Sequence, residues 1–83
     1  MERHETWSRP VREQAAELRE QAGRLRAGAA GVDLPDPDGA ALRKQILTHA
    51  ARAESAARSL ERAADALADH EAVLAALAKR EGG

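Results

Sequence analysis

The chain has 83 residues, enough for one small domain, and chains of this size often need oligomerisation to complete a core. Thirteen Lys and Arg against 14 Asp and Glu leave a net charge of −1, which argues against a phosphate-tracking nucleic-acid binder and a polybasic membrane segment. With no cysteine, disulfide staples and thiolate metal sites are excluded.

Charges run through the first twenty residues, so no signal-peptide core is visible, and no apolar stretch reaches the length of a spanning helix. The expected location is the cytoplasm, with a signal-free export route left open. Trp7 is the sole aromatic residue, and the apolar mass comes from Ala and Leu. That composition, with many Glu and Arg, signals long helices.

In chain order, Ser8 or Arg9 opens a helix with Pro10 in its first turn, where proline is tolerated. The spacing of Val11, Ala15, Leu18, Ala22, Leu25 and Ala29 alternates four and three, which predicts a helix over about residues 9–29. In heptad terms Val11, Leu18 and Leu25 take d and the alanines take a. A hinge over about 30–37 follows, where Gly31 suits a left-handed C-cap and Pro35 and Pro37 force extended backbone before them. Asp36 or Asp38 suits the cap of the next helix.

From Ala40 to Glu81 there is neither Gly nor Pro, which predicts one long helix over about 38–81. Ile46, Ala53, Leu60, Leu67 and Leu74 take d; Ala50, Ala57, Ala64, Glu71 and Ala78 take a; Leu42, His49, Ala56, Ala63, His70 and Leu77 take g. The expected fold is therefore all-α: a single antiparallel, coiled-coil-like helical hairpin spanning 1–83, with a long second helix, assembling into a dimeric helical bundle.

The charges suggest a register. Arg12, Arg19 and Arg26 occupy e on the first helix, as Glu54 and Glu61 do on the second. Pairing Arg19 with Glu54 and Arg12 with Glu61 fits a tight turn near Asp33–Asp36 and puts Leu18 against Ala50 and Ala57, with Trp7 over Ala63. The first helix then ends opposite about Ala64. Leu67, His70, Glu71, Val73, Leu74 and Leu77 remain as a candidate partner interface, with Trp7 as a further anchor.

Glu71 is the odd member of that set, a carboxylate at a seam position, costly there unless paired. It either meets an Arg of a partner or sees water. His49 and His70 stand roughly 31 Å apart on one helix, so one chain cannot bring both to one metal, although an antiparallel dimer would bring His49 near the other copy's His70. No nucleophile–base pair, phosphate loop or metal-ligand spacing is present, so neither catalysis nor a cofactor is expected. An amphipathic membrane role is disfavoured by the Ala-dominated stripe.

Small Ala-rich hairpins of this length resemble, in outline only, the WXG100 proteins of type VII secretion, which carry Trp-x-Gly at the turn. The turn here reads VDLPDPDG, and Trp7 is followed by Ser8 and Arg9, so the defining motif is absent. The expected function is a non-enzymatic protein–protein interaction module that self-associates or docks on a larger protein through its second helix. The alternatives are a small accessory protein of a multi-protein system (a secretion adaptor, an antitoxin or a defence component) and, more remotely, a helical enzyme with a site between chains.

Overall fold

A computed structural model, which describes residues 6–82, contains two helices, α1 (Ser8–Ala30) and α2 (Asp38–Gly82), and no strand among the described residues. At 1.5 Å per residue, α2 should run about 68 Å, and it accounts for the longest dimension of the molecule: 70 × 20 × 11 Å. The hairpin is thus a single layer, one helix thick.

Alanine makes the closest contact between the helices. Ala15, Ala22 and Ala29 of α1 and Ala50, Ala57 and Ala64 of α2 are buried, all at the a positions of their heptads. No large side chain of the described residues is fully buried. Val11, Leu18, Leu25, Ile46, Leu60 and Leu67, at d, are only half-buried. A bare methyl lets two backbones approach toward the near end of the usual 8–10 Å spacing, so the alanines carry the contact and the larger d side chains spread to one side of it.

The ion pairs give the register. Arg19 donates from Nε and Nη2 to Glu61, both bonds 2.7 Å long. Arg26 donates from Nη2 to Glu54 at 2.7 Å, and Arg12 meets Asp65 at 3.1 Å. Each seven residues up α1 are matched by seven down α2, which puts Ala29 level with Ala50, Ala22 with Ala57 and Ala15 with Ala64. The sequence-based pairing of Arg19 with Glu54 and of Arg12 with Glu61 is therefore corrected by one heptad. Leu18 is correspondingly displaced from Ala50, and Trp7 from Ala63.

The reason lies in the connection. Residues 31–37 do not turn back tightly but run beside the start of α2. Gly39 is buried against the loop, and a Cβ there would overlap the Leu34 carbonyl oxygen. Arg43 reaches back to the Val32 carbonyl at 3.5 Å and to Asp36 at 3.4 Å. The first turns of α2 therefore project beyond the end of α1, and the point of symmetry of the hairpin moves along the chain.

The caps differ from expectation too. Gly31 closes α1 at φ −90°, not in the left-handed region. Its N–H is shared between the Ala27 and Gly28 carbonyls, and Val32 N–H bonds to Ala29 O at 3.2 Å, a tightened last turn in place of a Schellman turn. At the start of α2 the Pro35 carbonyl accepts from Gly39 N–H and that of Pro37 from Ala41 N–H, both at 3.0 Å.

Candidate functional site

The end of the hairpin away from the hinge is organised by Glu71. Its Oε2 accepts from the backbone N–H of Trp7 at 2.6 Å and of Ser8 at 3.1 Å. Its Oε1 accepts from the Ser8 hydroxyl at 2.8 Å. A helix N-terminus leaves its first N–H groups without internal partners; Trp7 supplies no side-chain cap, and Pro10 has no N–H to satisfy. The carboxylate of α2 does for α1 what a capping residue normally does from within, and it places negative charge where the helix dipole favours it.

These bonds hold the Glu71 carboxyl below its ordinary range, with the Ser8 hydroxyl as the largest cause and the Trp7 N–H next; burial opposes them, and the Ser8 N–H adds a lesser lowering. Of the two readings of Glu71, an Arg of another chain or water, neither describes this contact: its partners are Trp7 and Ser8 at the N-terminus of α1. Ser8 is the residue that sequence reasoning missed. The signal was available: Ser8 lies seven residues before Ala15, as Glu71 lies seven after Ala64, so the pair is one more rung of the alanine ladder, made polar.

Along the e side, Glu54 and Glu61 are also held low, first by the hydrogen bonds from Arg26 and Arg19 respectively. The same bonds raise the two guanidiniums. Expected as intra-hairpin salt-bridge residues, Arg12, Arg19, Glu54 and Glu61 all take part in ion pairs, with the shifted partners given above.

The remaining candidate residues divide. Leu67 is half-buried in the hairpin, because α1 extends to Glu71 rather than stopping near Ala64. Val73, Leu74 and Leu77 lie past that point and stand 56%, 46% and 45% exposed. His70 is exposed, and Trp7, whose backbone N–H bonds to Glu71, is 59% exposed. A second group of exposed large side chains, Leu34, Leu42 and Leu47, marks the hinge end.

The chain matches no protein-family model, no curated protein and no solved structure. The molecule's own surfaces therefore carry the functional argument. Among the described residues, no group of three or more His, Asp or Glu side chains is placed to hold a metal ion, and no helix is long and apolar enough to cross a membrane. The concave surfaces on the hinge end of α2, around Lys44, Leu47 and Thr48 and around Gln45, Thr48 and His49, are open flanks of an uncovered helix.

Proposed function

We propose that this chain is a protein–protein interaction module whose docking element is α2. The observation that carries this reading is the run of Val73, Leu74 and Leu77, left exposed where α1 has ended at the Glu71 cap. Large aliphatic side chains grouped on a helix beyond its intramolecular cover form the kind of contiguous apolar patch that marks an interaction surface. Trp7, exposed and tied by its backbone to Glu71, adds the kind of side chain that anchors interfaces.

The test is a Leu74→Glu variant, compared with the parent chain by light scattering and by circular dichroism. The expected outcome is loss of association with retained helical signal, because Leu74 contributes nothing to the alanine contact. An associating parent whose Leu74→Glu variant associates equally well would remove Val73, Leu74 and Leu77 as the docking surface.

A further inference from the structure

We propose that the open face of the hairpin is covered by a second copy of this chain, with the two α2 helices antiparallel about a two-fold axis passing between Ser59 and Leu60. The proposal rests on the reading of α2 as the docking helix and names its partner.

The hairpin has two unlike sides. On the e side, charges are spent on each other in the pairs Arg19–Glu61 and Arg26–Glu54. On the other side lie the half-buried d residues, and next to them the g stripe of α2: Leu42, His49, Ala56, Ala63, His70 and Leu77, every one exposed. The stripe carries no Asp, Glu, Lys or Arg. A layer 11 Å thick whose buried residues include no Leu, Ile or Val is half of a core, since a domain needs a second layer to shut its larger side chains away from water.

The order of residues along the stripe says what that second layer is. Leu, His, Ala, Ala, His, Leu reads the same from either end. A two-fold interface is self-complementary: if one residue meets another, the reverse contact also occurs. An antiparallel copy centred between Ser59 and Leu60 sets Leu42 against the copy's Leu77, His49 against its His70 and Ala56 against its Ala63, so each level matches in size.

The hairpin is also centred for such an axis, because Arg19, midway along α1, is bonded to Glu61, midway along α2. Area separates this arrangement from one using the far end alone. The stretch past Glu71 offers about 16 Å of a helix about 10 Å wide. The whole stripe runs about 52 Å on a hairpin 20 Å across, which is the scale of the roughly 800 Å² per partner that stable complexes bury.

The chain lacks cysteine, so directed crosslinking tests the axis. Ala56→Cys and Ala63→Cys variants are prepared separately, then each alone, and the two mixed, are unfolded, refolded and treated with diamide as oxidant. Light scattering of the parent chain should read twice the mass of one copy. The mixture should give a disulfide-linked pair and neither variant alone should, because like sulfurs would be separated by seven residues, about 10 Å, beyond the span of a disulfide.

A parent chain that stays monomeric at high micromolar concentration with full helicity overturns the second copy, while leaving α2 free to dock on a different protein. A dimer in which Ala56→Cys links to itself, or in which the mixture does not link, overturns the axis. A dimer that Leu74→Glu and Ala56→Glu both leave intact overturns the docking reading of α2 as well.

Discussion

Glu71 is a carboxylate at a seam position whose cost is met by three hydrogen bonds from one end of α1. Two of its donors are backbone groups that would otherwise need water, and the third is the Ser8 hydroxyl. Its pKa is depressed on folding, and so are those of Glu54 and Glu61. A group with a depressed folded pKa contributes stability that is complete above its unfolded value, near 4.3 for Glu, and is lost as pH falls through that value to the folded one. Thermal denaturation should therefore show a midpoint that declines as the solution is acidified through the carboxylate range. Glu71→Gln should remove part of that decline and lower the midpoint at neutral pH, because an amide keeps one acceptor but not the charge. Equal acid sensitivity in the variant and the parent would show that the cap carries none of it.

At the scale of the helices, the alanine ladder makes a sharper demand than hydrophobicity. Ala57 has no accessible surface, and its neighbour across the gap is another alanine level, so a larger side chain has nowhere to go without separating the backbones. Ala57→Leu should cost about 1–3 kcal/mol, the usual penalty for overpacking, whereas Ala76→Leu, on the exposed side of the same helix, should be close to neutral; urea denaturation of the two variants decides this. The helices, the hinge and the placing of alanine on the seam were legible in the chain, because heptad spacing and the breakers between Gly28 and Gly39 are local signals. The register was not. Arg12, Arg19 and Arg26 recur every seven residues, as Glu54 and Glu61 do, so a slide of one heptad leaves the charges equally well matched. What selects between the two registers is the path of the loop beside Gly39 and Arg43 and the capping of α1 by Glu71, both tertiary contacts that no periodicity reports. The candidate interface changed for the same reason: Leu67 and Glu71 were absorbed into the hairpin when α1 reached further, and Val73, Leu74 and Leu77 were left.

For the molecule as a whole, the nested order of the ladder has a kinetic consequence. Between Ala29 and Ala50 lie only the connecting loop and the first turns of α2, whereas Ser8 and Glu71 come together across nearly the full chain. Once the rung nearest the hinge has formed, each further rung closes only a small additional loop, and loop closure is the chief entropic obstacle to pairing distant segments. The hairpin should consequently zip from the hinge outward, with the Glu71 cap last. Substitutions at the two ends then part company in a stopped-flow experiment on the hairpin. Ala29→Gly should slow folding, because its contact belongs to the transition state, while Ser8→Ala should leave folding nearly unchanged and speed unfolding. The cap that ends the ladder would thus act as a latch on the folded hairpin, setting how long it stays closed rather than how fast it forms.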